Sequence, residues 1–135
     1  MAQCATLHTL AKSPQLEDLR SSVKLEYKEL PPLAEGRVRI KVHFSALNFA
    51  DTLIVQGKYQ EKTVLPLGLG GECSGIVVES KTSIKVGSAV LALCSGAFAS
   101  SVDAEPGRVW VLGGAFPLDL AAGFAVAAGT AHIGL

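Results

Sequence analysis

Positions 37–46 alternate without a break. Val38, Ile40, Val42, Phe44 and Ala46 are apolar, and Arg37, Arg39, Lys41, His43 and Ser45 are polar. That period of two predicts a strand with one face in a core and one in water. Val23, Leu25 and Tyr27 set against Lys24, Glu26 and Lys28 predict an earlier strand over 23–30. Pro31-Pro32 keep what precedes them extended, and Ala34-Glu35-Gly36 supplies the turn. Three further strands are predicted over 73–79, 89–94 and 108–112, the last bounded by Pro106-Gly107 and Gly113-Gly114. Between them, Asn48 can cap a helix of about two turns over 48–56, with Asp51 in its first turn and Gly57 at its end. The alanine-rich tail from Pro117 to Leu135 reads as one helix that Asp119 could cap and that Gly123 and Gly129 weaken. Many short strands, few helices and glycine punctuation predict a mainly β fold, a small and largely antiparallel partial barrel.

Composition narrows the function classes. Twelve Lys and Arg balance twelve Asp and Glu. No basic stripe with interleaved aromatics occurs, which argues against a nucleic-acid partner. Residues 115–135 have the length of a membrane span, but Pro117, Asp119, Thr130 and His132 interrupt them and no basic flank follows. A buried helix is the expectation there, and no membrane partner. Met1 to Lys12 lacks the basic start and apolar core of a secretory signal. A cytoplasmic location is expected, with a mitochondrial address left open. Cys4, Cys73 and Cys94 are odd in number, far apart and without a CxxC pair, so they read as buried small hydrophobes.

The stretch GKYQEKTVLPLGLGGECSGIVVES, 57–80, places one acid, Glu72, in a glycine-rich turn. A zinc site would need three ligands from Cys, His, Asp or Glu. Glu72 and Cys73 are neighbours on a strand and point to opposite faces, and His8, His43 and His132 have no HxH or HxxxH spacing. GLGG lacks the Lys-Ser/Thr ending of a phosphate loop and a helix to follow it. CSGAFASS holds no GxSxG elbow. A tight bend into a strand accounts for the glycines.

Taken in order, NFAD at 48–51, GKY at 57–59, PLGLGGECSG at 66–75 and GTA at 129–131 resemble medium-chain dehydrogenase/reductases, in particular their zinc-independent quinone oxidoreductase branch. The resemblance runs from about Leu7 onward. It implies a GroES-like β-barrel domain over 1–116, the start of a connecting helix over 117–135, and a Rossmann domain that this chain lacks. The expectation is therefore a fragment or truncated product, since the tail stops while still apolar and no G-x-G-x-x-G occurs. In zinc-containing relatives a cysteine ligand falls at Asn48 and the histidine of a G-H-E triplet falls at Gly71. Both ligand types are missing, so no zinc is expected and Glu72 is expected to be hydrogen-bonded or charge-paired.

The activity implied is hydride transfer from NADPH to a quinone or an enone, with Asn48 and Tyr59 at the reacting centre and Asn48 and Thr130 beside the cofactor. Asn48 could instead serve only as a helix cap, Tyr59 as a loop anchor and Thr130 in helix packing. Relatives often form dimers, which the resemblance extends to the full-length protein. Leu53 stands where many relatives carry an aromatic, and VGSAV at 86–90 stands for the usual VGDRV. The second reading is a non-catalytic barrel used for interaction or oligomerisation.

Overall fold

A computed structural model describes residues 1–134. Eight strands and four α-helices follow one another as β1 (Ala2–Leu7), α1 (Leu16–Ser22), β2 (Val23–Lys28), β3 (Val38–Ser45), α2 (Phe49–Ile54), β4 (Leu67–Gly68), β5 (Glu72–Ser80), β6 (Ala89–Leu93), β7 (Ser101–Ala104), β8 (Val109–Val111), α3 (Leu118–Ala122) and α4 (Phe124–Gly134). A 3-10 turn at Pro106–Arg108 leads into β8. The strands form two antiparallel sheets, ordered β2-β1-β4 and β7-β3-β5-β6-β8. The sheets are not closed on each other, and the fold is a GroES-like partial barrel with short helices. The segment 96–100 ties them together: Ala5 N–H donates to Phe98 O and Ser100 N–H to Gln3 O on one side, and Val42 N–H donates to Ser100 O on the other.

The larger core lies on one face of the five-stranded sheet, where Val38, Ile40, Val77, Val90, Ala92 and Val102 meet. A smaller one gathers Leu7, Val55 and Leu69 under α2. Central strands with β-branched residues at alternate positions bury them together, which is the main stabilising term of the domain.

The strand over 37–46 departs from its simple alternation. Arg39 is buried at 8% exposure between Val38 and Ile40, while Phe44 is 47% exposed. Two register irregularities, at Arg39/Ile40 and Val42/Phe44, shift which side chains face inward. Being central, β3 also has neighbours over its polar face. The Arg39 fork donates from Nε and Nη2 to the two Asp103 oxygens at 2.7 and 2.9 Å, from Nη2 to Pro31 O at 2.6 Å and from Nη1 to Glu79 at 3.1 Å. A guanidinium satisfied at both edges can leave water where an ammonium would not.

The tail also differs from expectation. It is two helices, broken at Gly123, and Asp119 lies in the first turn of α3 behind an N-cap at Pro117. α3 packs on the five-stranded sheet, with Ala121 and Ala122 buried and Ser74 Oγ donating to Leu118 O. α4 buries none of its residues, in contrast to the buried helix read from its apolar run. Its apolar character is nearly uniform around the axis, so no stripe selects a face toward the barrel. Among the described residues, no helix is long and apolar enough to cross a membrane.

Candidate active site

Asn48 opens α2 with extended backbone angles, φ −113° and ψ 158°. Its own N–H is held by Asp51 Oδ2 at 2.7 Å, while Asp51 N–H donates to Asn48 O at 3.0 Å. The helix start is thus closed by the Asp51 carboxylate. The Asn48 side chain also reaches beyond the helix start, with Nδ2 donating to Glu72 Oε1 at 2.8 Å. A carboxylate accepts and does not donate, so this bond fixes which end of the amide faces Glu72.

Glu72 begins β5 and is 1% exposed. Its second oxygen, Oε2, accepts the Val126 N–H at 3.0 Å. Val126 is the third residue of α4, where backbone N–H groups have no partner within the helix. A carboxylate there satisfies an orphan donor and faces the positive end of the helix dipole. The acid in the glycine-rich turn therefore joins three elements: α2 through Asn48, β5, and α4 through Val126. Gly70, just before it, has φ +92°, and a Cβ there would stand 2.6 Å from the Phe98 ring and 2.7 Å from Phe98 N. Only glycine makes that turn and keeps Phe98 against it.

Asp51 is buried beside this centre. Burial pushes its carboxyl above the ordinary carboxylate range, the Asn48 N–H opposes the shift, and the nearby Glu72 charge adds to it. A carboxyl whose folded pKa is raised binds its proton more readily folded than unfolded. Stability therefore rises as pH falls through the interval between the unfolded value near 3.8 and the higher folded one, and the gain is absent above that interval. Asp51→Asn can still accept the Asn48 N–H but does not titrate. Urea midpoints measured across this interval should rise on acidification in the unsubstituted chain relative to Asp51→Asn. Parallel curves would show that burial does not penalise the charge.

Tyr59 stands at the edge of a hollow of about 310 Å³, lined also by Asp51, Gly70, Gly71, Cys94, Ser95 and Arg108. Asn48 does not line this hollow; it lies behind it, joined through Asp51. Thr130 is exposed on α4, one turn beyond Val126 and on the same side of the helix. The structure so brings Asn48, Glu72 and the start of α4 into one bonded group, with Tyr59 in the hollow that Asp51 also lines and Thr130 further along α4. Two groups escaped the sequence reading. Arg108 was legible only as the start of a strand, yet it brings a cation to the Tyr59 hollow. Cys73 and Cys94, separated by 21 positions, have their sulfurs 3.8 Å apart. Their hydrogen bond and the surrounding burial push the Cys73 thiol well above the ordinary range, and the same bond lowers Cys94.

The donor set does not suit zinc. Both Glu72 oxygens are taken by N–H donors, Asn48 presents its amide nitrogen to one of them, and among the described residues no group of three or more His, Cys, Asp or Glu converges.

Comparison with known proteins agrees with this architecture. Residues 34–130 match the model of the alcohol dehydrogenase GroES-like domain. The chain is 42% identical over 108 residues to the quinone oxidoreductase-like protein 2 homolog of Nematostella vectensis, covering 76% of this chain and 30% of that protein. The structure of the human synaptic vesicle membrane protein VAT-1 homolog-like protein superposes with a TM-score of 0.87 at 27% identity, over 100% of this chain and 43% of that one. The quinone oxidoreductase of Thermus thermophilus, solved also in complex with NADPH, superposes with a TM-score of 0.79 at 26% identity, over 97% and 39%. The chain thus spans less than half the length of each of these relatives. The domain match, the two-sheet barrel and the ordered NFAD, GKY, GGE and GTA segments together show that the chain belongs to the alcohol dehydrogenase GroES-like domain family, on the quinone oxidoreductase-like side of the medium-chain dehydrogenase/reductases.

Proposed function

We propose that this chain is the first domain of an NADPH-dependent oxidoreductase that passes hydride to a quinone or to an alkene conjugated to a carbonyl. The observation that carries the reading is the Asn48–Glu72 bond. One N–H of the amide is tied to a buried carboxylate, so the second N–H and the carbonyl oxygen are held in a fixed direction. A fixed donor can stabilise charge growing on an acceptor oxygen without reorganising during the reaction. NADPH supplies the hydride when bound. On this chain Asn48 would face both the nicotinamide end and the acceptor oxygen, Thr130 would face the nicotinamide end, and Tyr59 would orient the acceptor from the edge of the neighbouring hollow. A Rossmann domain, beyond these 135 residues, would hold most of the cofactor. The Thermus thermophilus relative, solved with NADPH, supports the cofactor assignment.

The test is NADPH oxidation followed by absorbance, with 1,4-benzoquinone and an aryl vinyl ketone as acceptors. The 135-residue chain alone should show no turnover. A chain extended by a Rossmann domain should turn over at least one acceptor, and Asn48→Ala within it should lower kcat by about 10². An extended chain inert toward both acceptors would sink the reading. A binding-module reading draws on the exposed Trp110, Phe116, Leu120, Phe124 and Ile133. It would gain from that inert result together with self-association of the isolated chain.

A further inference from the structure

Cys73 and Cys94 stand on adjacent antiparallel strands. Cys73 is paired with Ala92 in the β5–β6 register, and Cys94, just past β6, donates its N–H to Gly71 O. The two cysteines are therefore diagonal neighbours on the same face of the sheet, since Ala92 and Cys94 are two residues apart. Their sulfurs are already in contact at 3.8 Å. The pair is also asymmetric in access. Cys73 is 1% exposed and sealed in the larger core, whereas Cys94 is half-buried and opens onto the Tyr59 hollow. Cys94 lines a second hollow as well, beside Arg37, Asp103, Glu105 and Arg108. Arg108 lines both hollows. A sulfur that opens onto a hollow and a second thiol within reach are what an oxidisable pair requires.

We propose that Cys73 and Cys94 form a peroxide-reactive thiol pair that closes to an intrachain disulfide across β5 and β6, with Cys94 the sulfur attacked by oxidant. The Cys94 sulfur attacks one oxygen of hydrogen peroxide. The O–O bond breaks, the second oxygen leaves as water with the thiol proton, and Cys94 becomes a sulfenic acid. The Cys73 sulfur then displaces that hydroxyl, which leaves as water with the Cys73 proton as the S–S bond forms. Two thiols are oxidised and one peroxide is reduced to two waters. Closing the sulfurs from 3.8 Å to about 2.05 Å requires β5 and β6 to shift against each other, since diagonal neighbours stand about 7–8 Å apart and a disulfide holds its Cα atoms about 4.4–6.8 Å apart. Cys4 is the internal control, because its sulfur hydrogen-bonds the Thr6 hydroxyl at 3.7 Å and, among the described residues, no second thiol.

The experiment treats the 135-residue chain with hydrogen peroxide, blocks the remaining thiols with an alkylating agent, and reads the intact mass and the peptide map without reductant. The expected product has lost two hydrogens, links the Cys73 and Cys94 peptides, and leaves Cys4 alone alkylated; a thiol reductant restores three alkylated sites. Cys73→Ser should halt the reaction at the sulfenic acid, captured on Cys94 by a cyclic dione. Cys94→Ser should leave Cys73 reduced. The measurement on the unsubstituted chain decides by itself if a serine variant does not fold. Oxygen added at Cys4 while Cys73 and Cys94 stay reduced, a bridge that includes Cys4, or covalent dimers alone would overturn the proposal.

Discussion

Gly75→Ala should remove a large part of the domain's stability. Gly75 lies in β5 opposite Val42, beside the irregularity that ends the regular β3–β5 register. A Cβ at this position would press on the Lys41 carbonyl oxygen well inside van der Waals contact, 2.9 Å from Lys41 C and 3.0 Å from Ile40 Cγ2. The obstacle is backbone, which cannot rotate away as a flexible side chain could. β3 cannot retreat either, since it is hydrogen-bonded to β7 on its other side and Ile40 is fully buried. The alternative is to break the central pairing of the larger sheet. The cost should exceed about 4 kcal/mol, a large part of the roughly 5–15 kcal/mol that stabilises a domain. Circular dichroism and urea titration would read it. Gly107→Ala, where nothing lies within 4 Å, should shift stability by no more than about 0.5 kcal/mol and serves as the control. A folded Gly75→Ala chain of near-normal stability would mean that β3 and β5 can separate locally at little cost.

The same contrast explains what was readable in the chain. Strands β3, β5, β6 and β8 announced themselves because their alternation and flanking glycines are local signals. β1 did not: AQCATL mixes small and polar residues, and its place between β2 and β4 comes from pairing with segments distant in the chain. α1 carries only Leu16 and Leu19 as apolar residues, too few to mark a helical face. Arg39 looked wet because its partners, Asp103, Glu79 and the Pro31 carbonyl, are distant in sequence. At the candidate site the motif order pointed to Asn48, Tyr59, Glu72 and Thr130. Their arrangement was not legible, because it depends on a side-chain bond between α2 and β5 and on where α4 begins.

Glu72→Ala should cost about 3 kcal/mol and release the start of α4, two effects with one origin. The carboxylate is almost wholly buried and both its oxygens accept N–H groups, from Asn48 and from Val126. Bonds to a charged acceptor contribute about 1.5–3 kcal/mol each, and removal leaves two donors unpaired, offset in part by the desolvation a buried charge no longer suffers. Glu72→Gln separates these contributions. Its carbonyl oxygen can accept one N–H, but its amide nitrogen then faces the other donor, so it should recover only part of the loss. Hydrogen exchange at the Val126 amide should quicken in both variants, more in the alanine one. Two other contacts of the helical tail, Ser74 on Leu118 and the Phe116–Phe124 edge contact at 5.8 Å, hold α3 and the corner rather than Val126. If Glu72 acts through Asn48 as well, Glu72→Ala and Asn48→Ala should be non-additive by at least about 1 kcal/mol, because each removes the same bond. Strict additivity with unchanged Val126 exchange would mean that the acid neither positions Asn48 nor holds α4, and the glycine-rich turn would then carry a buried charge without a structural reason for it.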